Sequence, residues 1–163
     1  YGFPVDDESV LLERLALEIF QAGLSWEIVL KKRKTTFEAF DGFDVDTVAR
    51  YGEKDTERLL GNPGIIRNKL KVASIIDNAN RIIAMREQGG LSGWLKSNHP
   101  LNRQDWTKLF KKTFRFTGGE IVNEFLMSVG YLPGTHDRAC PVYKEIEKLS
   151  PPWLQVDQSI YGL

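Results

Sequence analysis

The sequence contains one cysteine, Cys140, among 163 residues. A single cysteine excludes an intramolecular disulfide and is typical of proteins from a reducing compartment, so we expect a cytoplasmic location. No apolar run approaches the length of about 20 residues that a membrane-spanning helix requires. These two absences favour a globular protein that is stabilised by its apolar core and has no membrane partner.

The chain also lacks an excess of charge of either sign, because 22 basic residues balance 22 acidic ones. Nucleic-acid-binding proteins usually carry a basic excess, so any DNA-binding surface must come from local clustering. The densest cluster is Lys-Lys-Arg-Lys at residues 31–34. Such a run is most often the solvated face of a helix.

Strand-like alternation, internal repeats, low-complexity segments and a dinucleotide-binding glycine loop are all missing. Apolar residues recur instead at helical spacing, which predicts an all-α protein. Residues 1–150 are predicted to form one helical domain, and the proline-broken residues 151–163 a loosely docked tail. His99 is expected to be exposed in a loop. The predicted helices, in chain order, span about residues 7–22, 25–40, 45–51, 54–60, 69–88, 91–98, 103–113, 120–129 and 143–149.

Residues 17–26 combine a carboxylate, an apolar tip and a large aromatic ring. Glu18 lies at the edge of the apolar face of the first helix, where an ionised carboxylate is costly unless it is paired or functional. Gly23 can end that helix in left-handed geometry, which leaves Leu24 at a loop tip before Trp26 opens the next helix. Either these are a salt-bridged core acid, a surface leucine and a core tryptophan, or they form a site.

A second notable segment is Gly-Asn-Pro-Gly-Ile-Ile-Arg-Asn at residues 61–68, between a short helix and a long one. Backbone N–H groups at the start of the second helix of such a hairpin can bind a phosphate without reading sequence. Arg67, Lys69 and Lys71 lie beside it. An ordinary helical hairpin is the alternative.

His136 and Cys140 are four residues apart, so on one helical turn they would face the same way. Both are good zinc ligands, but two ligands do not close a tetrahedral site. Taken alone, the pair favours simple packing over metal binding.

Six segments carry a resemblance when they are taken together. They are Tyr-Gly-Phe-Pro at 1–4, Leu-Glu at 17–18, Gln-Ala-Gly-Leu-Ser-Trp at 21–26, Leu-Lys-Lys-Arg at 30–33, Asn-Pro-Gly-Ile-Ile-Arg-Asn at 62–68 and Phe-Arg-Phe-Thr-Gly at 114–118. With these segments the chain, from residue 1 to about 143, resembles the 3-methyladenine DNA glycosylase I family. The resemblance implies a helix-hairpin-helix glycosylase fold, with the hairpin near residues 54–88. It also implies an enzyme that flips and removes 3-methyladenine from alkylated double-stranded DNA.

The resemblance implies a role for each matching residue. Glu18 is similar to the acid that recognises the flipped base, Trp26 to the aromatic that stacks on it, and Tyr1 to the opposite pocket wall. Leu24, beside Gly23, resembles the wedge that fills the gap in the duplex. The implied phosphate-binding residues are Gly64, Ile65 and Ile66, with Arg67 and Lys69 beside them.

By the same resemblance, His136 and Cys140 are half of a structural zinc site, whose other Cys and His precede the position that matches Tyr1. Zinc binding is therefore expected only as a half-site in this chain. Residues 119–120, Gly-Glu, depart from the Pro-Thr or Thr-Thr pair that is more usual after Gly118. Asp77 lies within the long helix and is interpreted as structural.

The implied chemistry needs no lyase step, and no lysine stands in an evidently buried position. We therefore expect a monofunctional, monomeric hydrolase of the N-glycosidic bond. Two alternatives remain from the residues alone. One is a non-catalytic helix-hairpin-helix DNA-binding module with a buried structural Glu18. The other is a protein-interaction domain with Leu24 as its exposed anchor.

Overall fold

The computed structural model describes the whole chain, residues 1–163, and contains helices but no strand, which confirms the all-α prediction. No helix combines the length and the apolar character needed to cross a membrane. Short 3-10 turns occur at Asp41–Phe43, Arg86–Gln88, Pro152–Gln155 and Gln158–Tyr161. The α-helices are α1 (Glu8–Gln21), α2 (Trp26–Lys31), α3 (Arg33–Ala39), α4 (Val45–Ala49), α5 (Glu53–Leu60), α6 (Lys69–Ala84), α7 (Gly90–Asn98), α8 (Arg103–Thr113), α9 (Gly119–Ser128) and α10 (Pro141–Lys148).

Helix α1 is the central element of the fold. Leu11, Leu15 and Ile19 on its inner face are fully buried, because α9, α7, α6 and α2 pack around it. Burying each such side chain contributes about 1.5–3 kcal/mol. Surrounding helices therefore hold the C-terminal end of α1 in place, and this is the end that carries Glu18.

The predicted helix 25–40 is wrong in one respect, because it is broken at Lys32 into α2 and α3. The Lys32 ammonium donates to the carbonyl of Pro63 at 2.7 Å, and the Thr35 hydroxyl donates to the carbonyl of Gly64. Arg33 pairs with the largely buried Glu13 at 2.7 Å. The basic run is thus not a uniformly solvated face, since two of its four members hold other parts of the fold.

The C-terminal segment is docked rather than loose, which corrects the expectation for residues 151–163. Trp153 is only 8% exposed, and its main-chain N–H donates to the carbonyl of Gly130 at 3.2 Å. His99 is not an exposed loop residue either. Its Nε2 donates to the carbonyl of Pro152 at 2.9 Å, its ring meets Tyr131 edge-on, and burial lowers its pKa. The large apolar surface of Trp153 accounts for the docking.

Candidate active site

Glu18 lies one turn before the end of α1 and is 2% exposed. The helix begins at Asp7, whose carboxylate accepts from the Val10 N–H at 3.0 Å, and it ends before Gly23, which has a φ of +80°. The Tyr1 hydroxyl donates to Glu18 Oε1, while Oε2 is buried and has no hydrogen-bond partner. Glu18 is therefore a buried carboxyl group with only one of its two oxygens satisfied.

The surroundings of Glu18 disfavour its ionised form. Burial raises its pKa to about 7, and the charge of Glu124 also raises it. The hydrogen bond from Tyr1 and the charge of Arg14 lower the pKa and offset only part of this. No basic side chain forms an ion pair with Glu18, so the structure does not support the alternative of a salt-bridged core acid.

Tyr1 stands between Glu18 and the first turn of α2. Its ring meets the Trp26 ring edge-on, with centroids 6.2 Å apart and an interplanar angle of 89°. Its hydroxyl also lies 3.5 Å from Glu124 Oε2 on α9. The fold thus brings together the three residues predicted around the base, Glu18, Trp26 and Tyr1, and adds Glu124, which sequence reasoning missed.

A cavity of about 410 Å³ opens beside Trp26, within the usual size range of small-molecule pockets. Neither Glu18 nor Tyr1 lines it, although the Tyr1 ring meets the Trp26 ring edge-on. The sequence signal that could have indicated this wall is the spacing of Glu120 and Glu124, which lie four residues apart and so share a helix face. The lining residues are Gln21, Ala22, Gly23, Trp26, Glu120, Ile121 and Glu124.

The turn after α1 presents Leu24 at its tip, with 37% of the residue exposed. The Leu24 N–H donates to the Gln21 carbonyl at 2.8 Å, and the Gln21 side-chain amide donates back to the Leu24 carbonyl at 2.9 Å. These two bonds hold the exposed leucine in a tight turn at the mouth of the cavity, where Gly23 supplies the left-handed geometry.

The loop between α5 and α6 uses part of its hydrogen-bonding capacity internally. Asn62 Oδ1 accepts from the Gly64 N–H at 2.8 Å, and the Asn62 carbonyl accepts from the Ile65 N–H at 3.4 Å. A Cβ atom at Gly64 would lie 3.0 Å from Thr35 Cβ. Gly64 and Ile65 therefore shape the turn, and their N–H groups are not free to bind a phosphate.

The free N–H groups of this loop come slightly later in the chain. Those of Ile66 and Arg67 have no acceptor, and neither do those of Lys69 and Leu70 in the first turn of α6. Asn68 caps the helix, because its side-chain oxygen accepts from the Lys71 N–H at 3.1 Å. The side chains of Arg67 and Lys69 are exposed and make no ion pair. The loop thus combines free N–H donors with two unpaired cations.

Lys71 contradicts the expectation that no lysine is buried. It is 5% exposed, and its ammonium donates to the carbonyls of Phe20 at 3.0 Å and Ala22 at 2.7 Å. Burial lowers its pKa. The first turn of α6 is thereby joined directly to the C-terminal end of α1.

Asp77 has the structural environment that was predicted for it. Its carboxylate pairs with Arg81 at 3.0 Å and lies 3.8 Å from the Arg115 guanidinium.

His136 and Cys140 do come close, with Nδ1 and Sγ 3.9 Å apart. They do not share a helical turn as expected, because they lie in a loop closed by the Cys140 N–H donating to the Asp137 carbonyl at 2.9 Å. No group of three or more His, Cys, Asp or Glu side chains is arranged to hold a metal ion. The residues present therefore do not complete a four-ligand zinc site.

The chain was compared with known proteins. A family model described as methyladenine glycosylase matches residues 1–105. DNA-3-methyladenine glycosylase 1 of Escherichia coli K12 is 35% identical, over 88% of this chain and 87% of that protein. A crystal structure of a 3-methyladenine DNA glycosylase I superposes with a TM-score of 0.77 at 34% identity, covering 86% of this chain and 88% of the other. The Staphylococcus aureus 3-methyladenine DNA glycosylase I, solved to explain 3-methyladenine recognition, gives a TM-score of 0.77 at 29% identity, with 86% and 85% covered.

Proposed function

Because the chain belongs to the methyladenine glycosylase family, we infer that it is a DNA-3-methyladenine glycosylase of base-excision repair. It hydrolyses the N-glycosidic bond of 3-methyladenine in alkylated DNA. The observation that carries this function is the cavity at Trp26, with Tyr1 in edge-on contact with Trp26 and hydrogen-bonded to the buried, half-satisfied Glu18. Extruding the damaged base into this cavity costs a few kcal/mol, which is smaller for a damaged base than for an intact pair.

The chemistry follows from the charge of the lesion. A methyl group on N3 makes the linked adenine cationic, so the base is already a good leaving group and needs little protonation. Trp26 stacks on the cationic ring, with a cation–π attraction of about 1–2 kcal/mol when the pair is desolvated. Neutral adenine gains less from this contact, which favours the damaged base.

Glu18 acts on the base electrostatically. Its carboxyl group lies behind the Tyr1 hydroxyl, so its charge and the polarised hydroxyl stabilise positive charge on the base and on the developing oxocarbenium sugar. With a pKa of about 7, the group is partly ionised near neutral pH, and a bound cation favours its ionised form. The bond between sugar and base breaks with its electron pair going to the base, which leaves as a neutral molecule, and water adds to the sugar carbon and loses a proton to solvent.

The reaction is monofunctional in this proposal, despite the buried lysine. The Lys71 ammonium donates to the main-chain carbonyls of Phe20 and Ala22, and Lys71 is not among the residues that line the cavity at Trp26. A Schiff-base nucleophile must reach the sugar of the extruded nucleotide, whereas the Lys71 amine points to these carbonyls instead. Lys71 is therefore a residue that joins two helices.

The DNA-binding surface consists of the Leu24 turn and the α5–α6 loop, which we assign as the helix-hairpin-helix motif. Leu24 enters the gap that the extruded nucleotide leaves, with Gly23 beside it. The free N–H groups of Ile66 and Arg67 bind a backbone phosphate, and the Arg67 and Lys69 side chains add salt-dependent attraction. In this proposal the local clustering of Arg67 and Lys69 supplies the positive charge for DNA binding, although the net charge of the chain is zero. We further propose that the enzyme is monomeric and cytoplasmic and acts on double-stranded DNA.

Zinc stays a prediction limited to the pair His136 and Cys140. Metal analysis of the purified chain, with a Cys140→Ser variant as control, tests it directly. No step of the reaction proposed above depends on the metal.

The test of the function is release of free 3-methyladenine from methylated duplex DNA. We expect release by the chain and a loss of at least about tenfold in Glu18→Gln, equivalent to about 1.4 kcal/mol in barrier. Glu145→Gln is the matched control, because it removes the same charge from an exposed position on α10. Absence of release with intact DNA binding would favour a non-catalytic DNA-binding module instead. Unchanged release in Glu18→Gln would keep the enzyme and remove Glu18 from the chemistry.

A further inference from the structure

A carboxylate that has no cation as partner lies on the wall of the base cavity. Glu124, on α9, is half-buried and lines the cavity together with Trp26. Its one side-chain hydrogen bond is a long one, 3.5 Å, from the Tyr1 hydroxyl. Glu120, one turn earlier on the same face, differs because it pairs with Arg103 and its side chain is 82% exposed. The charge of Glu124 is therefore the uncompensated one.

The same hydroxyl lies between two carboxyl groups. Tyr1 donates to Glu18 Oε1 and lies 3.5 Å from Glu124 Oε2. Because a phenol carries one hydrogen, the closer Glu18 receives it and Glu124 is left with only the long contact. Arg14 has its guanidinium carbon 6.0 Å from the centre of the Tyr1 ring but forms an ion pair with neither acid. Like charges at this separation disfavour each other. A positive charge placed in the cavity relieves that repulsion, whereas a neutral ligand does not.

We propose that Glu124 is a specificity-determining residue of the base cavity, a second carboxylate that ranks cationic purines above neutral ones. It contacts the extruded base from the α9 wall of the cavity that Trp26 also lines. This inference rests on the proposed glycosylase function, since it deepens the selectivity of the same site. Glu124 thus adds a charge–charge contribution to the preference for a cationic ring that Trp26 already supplies by stacking.

The test measures binding of two free purines that differ in one methyl group and one charge. The cation 3,9-dimethyladeninium represents the damaged base with a methyl in place of the sugar, and 9-methyladenine is its neutral counterpart. Calorimetric titration of the wild-type chain gives the ratio of the two Kd values. For Glu124→Gln we expect affinity for the cation to fall about five- to tenfold, as for a partly solvated charge pair, and affinity for the neutral purine to change less than about twofold.

The control variant and the outcomes that would overturn the proposal give different binding results. Glu145→Gln removes an exposed charge on α10 and is expected to leave both affinities unchanged. Equal losses for both purines in Glu124→Gln would make Glu124 a structural residue and overturn the proposal, as would an unchanged ratio. Because this titration needs no DNA and no bond cleavage, its result is independent of whether the wild-type chain releases 3-methyladenine.

Discussion

Replacing Glu18 by Gln is expected to stabilise the fold while it damages the reaction. Glu18 is 2% exposed, and its pKa rises from 4.5 to about 7 on folding. Ionisation of this group therefore opposes folding. The stability that the neutral carboxyl provides is fully present below about pH 4.5 and is lost as the pH rises through about 7. A shift of this size corresponds to about 3 kcal/mol at most.

The amide in Glu18→Gln cannot ionise, so its benefit grows with pH. We expect the variant to gain about 2–3 kcal/mol over wild type between pH 5 and pH 8, or roughly 4–12 °C in thermal midpoint for a chain of this length. Urea unfolding of both proteins at the two pH values measures this, and taking the difference cancels the pH-independent effects of the amide. Glu145→Gln should show no such trend. If the stability difference between the variant and wild type changes by less than about 0.5 kcal/mol between the two pH values, the argument that the folded protein disfavours ionisation of Glu18 is refuted.

Three further variants test other parts of the structure. Lys71→Met leaves two main-chain carbonyls without their donor and should cost about 2–3 kcal/mol in urea unfolding; a loss under about 0.5 kcal/mol would deny the joining role. Trp153→Ala should lower the free energy of unfolding by about 3 kcal/mol, because the ring is buried. A negligible loss would mean that residues 151–163 are only loosely docked. Lys69→Met should leave stability unchanged within about 0.5 kcal/mol while lowering the salt slope of DNA binding by about one; an unchanged slope would remove Lys69 from the phosphate contacts.

Local signals predicted those elements whose causes are local. The bounds of α8 match the prediction, because Asn102 caps the helix by accepting from the Asp105 N–H at 2.9 Å and Trp106 and Phe110 repeat at helical spacing into the core. The end of α1 at Gly23 followed from the same kind of signal. Capping chemistry and apolar periodicity are properties of neighbouring residues, so a sequence reveals them directly.

Features that depend on distant partners were missed. At the helix break, Lys32 donates to the Pro63 carbonyl, 31 residues away. The buried Lys71 donates to the carbonyls of Ala22 and Phe20, 49 and 51 residues away. Glu18 and Trp26 were identified through the family resemblance, but Glu124 was not, because its meaning depends on Tyr1, 123 residues away. Helical spacing places a residue on a face, and only the packed fold shows what that face meets.

The two hydrogen bonds of Lys71 also bear on how the proposed DNA-binding elements are positioned relative to each other. One end of α6 carries the N–H groups proposed to hold a phosphate, and the same helical turn is tied to the carbonyls that precede the Leu24 tip. These two bonds couple the proposed phosphate-binding loop to the turn that carries Leu24. In the proposed DNA complex, this coupling would set the spacing along the strand between the bound phosphate and the extruded base.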